Sequence, residues 1–106
     1  MTWHRKFYLT RGSIHADTTA IMIQDYNRET ANFWVIEIDN PPSRHNISKD
    51  PQRHVYFDTW EEAHAALSQW AQEDVRACVQ AGIRAQRTVD LIGKMTRPNY
   101  REPGER

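Results

Sequence analysis

Five histidines are the residues in this sequence that most invite a metal-binding interpretation: His4, His15, His45, His54 and His64. No two of them have the spacing of a recognised zinc motif, and the chain has no cysteine pair that could complete one. Scattered surface histidines are therefore the simpler interpretation. The sequence predicts no metal site and no cofactor.

Three carboxylates lie close together at Asp58, Glu61 and Glu62, where they could serve as acid–base groups. Helix capping explains them more simply, because Thr59 and Glu62 fit a capping box and acidic residues stabilise a helix N terminus. The sequence has neither the Gly-x-Ser-x-Gly motif of a nucleophilic serine nor a glycine-rich phosphate loop. We therefore expect no catalytic residues, and we expect that the protein is not an enzyme.

Cys78 is the only cysteine, so no disulfide can form within the chain. It lies on an apolar helical stripe, which favours a buried structural thiol over a nucleophile, because a reactive thiol needs exposure and an activating neighbour. A chain without disulfides is assigned by default to the cytoplasm.

The composition is typical of a small soluble domain. The chain has 106 residues, of which 26% are charged, and a mean hydropathy of −0.84. Its 14 basic and 14 acidic side chains balance, which argues against the broad basic field of a general nucleic-acid-binding protein. No apolar run is long enough to span a membrane, and residues 1–6 lack the apolar core of a signal peptide. We expect one soluble cytoplasmic domain over residues 1–93, with no membrane contact.

A helical pattern dominates the second half of the chain. The capping box at Thr59 predicts where the helix begins. Apolar residues then recur at helical spacing: Trp60, Ala63, Leu67 and Trp70. A continuous helix to Gly93 would be about 50 Å long at 1.5 Å per residue, which is too long for a compact domain of this size. The sequence therefore predicts either a break, which we place at residues 72–74, or a projecting helix that needs a partner.

A second apolar stripe follows in steps of four and three residues, as in the seam of a packed helix. Its members are Val75, Cys78, Gly82, Ala85, Val89 and Ile92. Most of them are small, so another element could approach the helix backbone closely. The stripe has two interpretations. It packs on the protein's own sheet, or it forms a partner-binding seam for another protein or for a second copy, which would give a homodimer.

The first half of the chain is typical of a β-sheet. Its alternating or β-branched segments predict four strands: Trp3–Thr10, Thr18–Tyr26, Ala31–Ile38 and His54–Phe57. The third strand has apolar residues on both faces and is expected to be central in the sheet. Short links favour an antiparallel meander. The predicted fold is therefore α+β, with about four antiparallel strands in the order β-β-β-β-α, packed against one long or broken C-terminal helix.

Two segments have no strand or helix pattern. Residues 39–53 contain prolines, which cannot donate to a central ladder, and are interpreted as a long loop that is either functional or disordered. Residues 94–106 show no periodicity and are predicted to form a flexible C-terminal tail.

Two surfaces have the composition of binding sites. The 39–53 loop is basic: Arg44, His45, Lys49 and Arg53. The third strand has an apolar second face, at Phe33 and Val35, and tryptophan, which occurs four times, is enriched at interface hot spots. With the helix seam, these features favour a non-enzymatic binding protein that acts through protein–protein contacts. The alternative is a nucleic-acid-binding accessory protein that uses the basic 44–54 loop.

In size, α+β plan and absence of catalytic motifs, the chain resembles small inhibitors that phages and plasmids encode, including anti-CRISPR-like proteins. This resemblance is one of type and is carried by no matching motif. Such inhibitors are often acidic, whereas this chain is neutral. The resemblance implies a regulator or inhibitor encoded by a phage or another mobile element.

Overall fold

Strands fill the first half of the chain and helices the second. The computed structural model describes residues 2–17, 20–39, 42–77 and 82–105, except for the side chains of residues 82 and 83. Within these residues the chain forms six strands and two helices: β1 (His4–Thr10), β2 (Met22–Tyr26), β3 (Arg28–Glu29), β4 (Phe33–Asp39), β5 (Pro42–Ser48), β6 (His54–Phe57), α1 (Trp60–Ala77) and α2 (Gly82–Gly93). The predicted α+β class is confirmed. The single four-stranded sheet with one helix is wrong in detail, because the strands form two three-stranded antiparallel sheets.

The first sheet has the strand order β2-β1-β6. Alternation along β1 determines what its two faces carry. Phe7 and Leu9 are buried in the core beneath the helices. Lys6 and Tyr8 point to the opposite face, where Tyr8 is the register partner of Tyr56 on β6. This second face of the first sheet is therefore aromatic and basic.

The second sheet has the order β3-β4-β5, so β4 is its central strand, as its apolar residues on both faces predict. β5 lies within residues 39–53, and the interpretation of that whole segment as a loop is wrong. The strand has no alternating apolar pattern because nearly all of its residues are exposed, so the usual sequence signal is absent. Pro42 is compatible with the strand because it is the first residue.

A β-bulge at Asn27 separates the two sheets. Val35 opposes Arg28 in the register, yet Val35 O also accepts a hydrogen bond from Asn27 N at 3.1 Å, so two residues face one. The Asn27 side chain extends the pairing, since Nδ2 donates to Glu37 O at 2.7 Å and Oδ1 accepts from Glu37 N at 2.9 Å. The bulge bends the chain so that β2 joins the first sheet and β3 the second.

The start of α1 is confirmed at the predicted cap. Thr59 Oγ1 accepts a hydrogen bond from Glu62 N at 3.1 Å and lies 3.1 Å from Glu62 Oε1, to which it donates. The predicted break at residues 72–74 is wrong, because α1 runs on to Ala77. The polar residues there continue the exposed face of the helix, and Gln72 and Glu73 are good helix formers.

The second helix packs back on the first. His64 Nε2, near the start of α1, lies 2.8 Å from Ile92 O, near the end of α2, so the two helices are antiparallel. α1 packs on β1 and β6 of the first sheet, and α2 packs on α1. The core between them contains the buried residues Phe7, Leu9, Ala20, Ile21, Trp60, Ala63, Leu67, Ala71 and Ile92.

The segment that follows α2 lies against the first sheet. The Tyr100 ring packs edge-on against Phe7, with 5.6 Å between centroids. Gly104 N donates a hydrogen bond to Asp25 Oδ2 at 3.1 Å. The flexibility of residues 94–106 and the domain boundary before them stay predictions, but the described part of the segment has contacts that a solvated tail would lack.

Candidate functional site

The strands β4 and β5 form a hairpin, here called the hairpin arm (residues 33–39 and 42–48), whose outer strand is largely exposed. β5 packs chiefly on β4 among the described elements. Six of the seven β5 residues are exposed, and Ile47 is half-buried. The arm therefore projects from the helix–sheet core and has one strand with an uncovered outer edge.

The shape of the whole chain reflects this projection. Its principal extents are 54 × 28 × 18 Å and its radius of gyration is 16.2 Å, against about 13 Å for a compact domain of this length. The accessible surface is 7488 Å², whereas a compact monomer of 12.5 kDa exposes about 6,200 Å². The chain thus exposes an excess of about 1,300 Å², of the size that protein–protein interfaces cover.

The hydrogen-bond phase of β5 follows from one contact at the base of the arm. Lys49 N donates to Asn32 O at 3.0 Å, in register with the β4–β5 pairing. Hydrogen-bonded and non-bonded pairs alternate in an antiparallel ladder, so residues 43, 45 and 47 bond inward to β4. The backbone N–H and C=O groups of Arg44, Asn46 and Ser48 consequently point outward, along the free edge.

The two faces of the arm differ in character. One face carries Ile36, Ile38 and Ile47, all half-buried, together with the exposed His45. The opposite face is ionic, because Glu37 Oε1 lies 2.7 Å from Arg28 Nη1 and 3.7 Å from Arg44 Nη1. A strand added at the β5 edge would therefore meet an apolar face on one side and, on the other, an ion cluster of two arginines and one glutamate.

Trp34 attaches the arm to the first sheet. Its indole is 4.7 Å from the Tyr26 ring and 5.1 Å from the Tyr56 ring, and Lys49 Nζ lies 4.3 Å from its centroid. Burial raises the pKa of the Tyr56 phenol, and the nearby indole N–H opposes this shift only in part. Trp34 Nε1 is buried and reaches no acceptor in hydrogen-bond geometry within the described residues. The arm is therefore held by aromatic packing more than by polar bonds.

The predicted basic loop residues occupy different places in the arm and its base. Arg44 and His45 are exposed on β5, and Arg53 is exposed in the turn before β6. Lys49 forms an ion pair with Glu29 at 2.6 Å. Because Lys49 is paired with Glu29 and Arg44 shares Glu37 with Arg28, nearby carboxylates offset the charge of Lys49 and part of the charge of Arg44.

The two residues predicted to form an apolar binding face, Phe33 and Val35, differ in their exposure. Phe33 is 39% exposed at the base of the arm, where a partner could contact it. Val35 is fully buried, so its prediction as a partner-contacting residue is corrected. Trp34 and Val35 are successive residues on opposite faces of β4 and both are buried, so both faces of the strand are covered at this position.

The predicted helix seam is divided between two helices. Val75 lies on α1 and is half-buried, whereas Ala85, Val89 and Ile92 lie on α2. Ile92 is fully buried in the core cluster, with Val89 packed against it. Cys78 and the surroundings of Gly82 lie outside the described residues. The end of the stripe therefore packs within the chain and offers no surface at Ile92.

Cavities, groups of metal-ligating side chains and shifted pKa values are the features that could indicate catalysis in the described part of the chain. Cavities of about 410 and 350 Å³ lie beside Tyr100 and Trp70, respectively. No group of three His, Cys, Asp or Glu side chains that could hold a metal occurs among these residues. The groups with shifted pKa values are Arg5, Lys6, Asp25, Tyr26, Tyr56 and Tyr100, and every one of these shifts moves the pKa away from neutrality.

The sequence did not predict the backbone edge at Asn46 and Ser48, because the prediction rested on side-chain types and placed both residues in a loop. The available signal was the turn-forming stretch at residues 39–42, which follows a strand closely enough to begin a hairpin. A strand beyond such a turn would have predicted an edge.

No helix in the described ranges is long and apolar enough to cross a membrane. Comparisons of the chain with protein families, with curated proteins and with solved structures find no match.

Proposed function

We propose that this chain is a non-enzymatic binding protein that acts through protein–protein contacts, and that a partner strand binds at the outer edge of β5. The observation that carries the proposal is the row of outward backbone groups at Arg44, Asn46 and Ser48. Extended segments bind such edges by adding a strand, with main-chain hydrogen bonds supplying affinity and side-chain contacts supplying specificity. A small chain of this kind would regulate or inhibit its partner.

The β5 edge lacks most of the features that prevent strand addition. Proteins protect exposed edges with proline, unpaired charge, bulges or a covering element. In β5, Pro42 blocks only the first position, and Arg44 lies 3.7 Å from Glu37, a carboxylate that it shares with Arg28, so the edge carries a single partly offset cation. The remaining residues, 43–48, include no proline and no acidic side chain.

The arm is also held in place before any partner binds. The Asn27 bulge and the packing of Trp34 on Tyr26 and Tyr56 tie β4 to the first sheet. A preorganised edge loses less conformational entropy on binding than a flexible loop would, which favours affinity.

The nucleic-acid alternative draws less support from the geometry. Lys49 is paired with Glu29, and Arg44 shares Glu37 with Arg28, so nearby carboxylates reduce the positive field of both residues. Nucleic-acid binding depends on cations that neutralise phosphates. The formal net charge of zero gives no broader field to replace them.

The test is capture by the tagged full-length chain from a lysate of its source cells, with and without nuclease treatment. Asn46→Pro removes one outward N–H, and proline is tolerated in an edge strand where the N–H faces solvent. Asn46→Thr keeps the N–H and is the matched control. We expect wild type and the Thr variant to recover the same protein and the Pro variant to lose it.

Melting temperatures of the three proteins establish that each is folded. Recovery of the same protein by the folded Pro variant at the wild-type yield would refute binding at the β5 edge. Recovery that disappears for all three proteins on nuclease treatment would instead support the nucleic-acid alternative.

A further inference from the structure

We propose that the strand bound at the β5 edge is β5 of a second copy of this chain, related by a two-fold axis at Asn46. This inference rests on the proposed use of that edge. It predicts a continuous sheet in the order β3-β4-β5-β5-β4-β3 across the two copies. The uncovered edge of each hairpin arm would then be the interface.

The outward backbone groups determine which registers are allowed. With the axis at Asn46, Asn46 pairs with itself and Arg44 pairs with Ser48 of the second copy. All three outward-facing residues of each strand then belong to hydrogen-bonded pairs, and each pair exchanges two backbone bonds. The register leaves Pro42, which has no N–H to donate, outside these pairs.

In this register, the side chains that meet across the interface on the apolar face are compatible. His45 lies opposite Ile47 of the second copy, because cross-strand partners share a face. On the two sides of this pair lie Ile36 and the second copy's Trp34, which are the β4 partners of His45 and Ile47. The apolar face of one arm thus continues into that of the other.

Side chains on the ionic face also match. Arg44 lies opposite a serine, so no like charges meet across the strands. The two Asn46 amides face each other, and each amide has both a donor and an acceptor. Arg44 Nε donates to Asn46 Oδ1 within one strand at 3.2 Å, which orients that amide.

The neighbouring register, with the axis at His45, is worse on two counts. It places the two imidazole rings opposite each other at the centre of the apolar face. It also pairs Pro42 with Ser48 of the second copy, and proline supplies only one of the two bonds. Of these two registers, the strand therefore favours the one centred on Asn46.

The exposed area is large enough for such an interface. A standard interface buries about 800 Å² on each partner. The excess surface of this chain over a compact monomer of its mass is about 1,300 Å². Six of the seven β5 residues are exposed, so pairing two arms through β5 would cover surface that the rest of the described fold leaves open.

Sedimentation equilibrium of the full chain tests the proposal over a range of micromolar concentrations. We expect the mass to approach twice 12.5 kDa. Asn46→Pro should raise the dissociation constant on the order of 30-fold, since two central hydrogen bonds are lost, whereas Asn46→Thr should leave it nearly unchanged. A mass of one chain at every concentration for wild type would overturn the proposal.

Oxidative cross-linking tests the register. In a Cys78→Ser background, Asn46→Cys should form a disulfide-linked dimer, because hydrogen-bonded partners are about 5.5 Å apart, within disulfide range. Ser43→Cys is the control, since the two copies of residue 43 would be about 20 Å apart. Equal cross-linking at both positions, or none at position 46, would overturn the two-fold at Asn46.

The outcomes separate this inference from the proposed function. If wild type is monomeric but Asn46→Pro abolishes capture of a different protein, the second copy is excluded and strand addition at β5 stands. If a dimer forms and the folded Pro variant has the same affinity, the two copies meet elsewhere and this inference fails, whereas strand addition at β5 is decided by the capture experiment.

Discussion

Ile92 and Leu91 are adjacent on α2, and alanine substitutions at the two positions separate a core role from an interface role. Ile92 is 0% exposed in the core cluster, whereas Leu91 is 47% exposed. If the stripe that ends at Ile92 packs within the chain, Ile92→Ala must destabilise the fold. If the same stripe were a seam between two copies, the substitution would change mainly the mass in solution.

The expected magnitude follows from burial. Removing three carbons from a fully buried isoleucine costs about 2–5 kcal/mol, counting the lost transfer energy and the cavity left beneath α1. Leu91→Ala should cost less than about 1 kcal/mol, because a surface substitution away from special contacts changes little. A domain of this size has a stability of about 5–15 kcal/mol, so Ile92→Ala takes a large share of it.

Urea unfolding, followed by tryptophan fluorescence, measures both variants. Should Ile92→Ala prove too unstable to purify, Ile92→Val is the milder test and should cost about 0.5–1.5 kcal/mol. Equal unfolding midpoints for the Ile92 and Leu91 variants would refute the core assignment. So would a halved solution mass in Ile92→Ala at wild-type stability.

Three further perturbations test other contacts. Burial alone would raise the pKa of Asp25, but hydrogen bonds from Arg5 and from the Gly104 N–H, together with the Arg5 charge, hold it below 3.8. The ionised Asp25 carboxylate therefore stabilises the fold above about pH 4, and this contribution is lost as the pH falls through the folded-state pKa. Asp25→Asn should consequently show a smaller difference in urea midpoint between pH 5 and pH 3 than wild type. An equal difference would contradict this coupling between the pKa and stability. Gly104→Ala should speed tryptic cleavage after Arg101, because Gly104 has φ of +79° and a Cβ there would overlap the Trp3 indole; wild-type cleavage rates would show that the packing of this segment is unimportant. Nucleic-acid binding that weakens steeply with salt and vanishes in Arg44→Glu with Arg53→Glu would favour the basic-loop alternative over strand addition, whereas we expect no such binding.

Local interactions made the start of α1 predictable. The capping contact joins Thr59 and Glu62, which are three residues apart, and the sequence contains both members. The return of α2 along α1 could not be predicted in the same way. It depends on contacts between distant residues, such as His64 with the Ile92 carbonyl, which no local pattern encodes.

β5 could not be predicted from the sequence for a different reason. A strand can be recognised in a sequence when one of its faces is buried and the other is exposed to solvent, because apolar and polar residues then alternate. β5 is exposed on nearly its whole length, so its polar sequence resembles a loop. The sequence did indicate that residues 44 and 45 are accessible, but the outward backbone groups at Asn46 and Ser48 belong to no side-chain pattern. A backbone edge becomes visible only when the strand pairing is known.

Two residues at the base of the hairpin arm connect this fold to its proposed use. β3 has only two residues, so Glu37 on β4 would lack a backbone partner if the Asn27 side chain did not bond both its N–H and its C=O. Trp34 adds packing on Tyr26 and Tyr56 of the first sheet. These contacts position the hairpin arm, which contributes little to the helix–sheet core. An isolated two-stranded ribbon is at best marginally stable in water. Stability of the core alone does not account for an arm supported in this way, whereas binding at its edge does, because a partner strand would pair the backbone groups that β5 leaves open and would cover the isoleucines beside them.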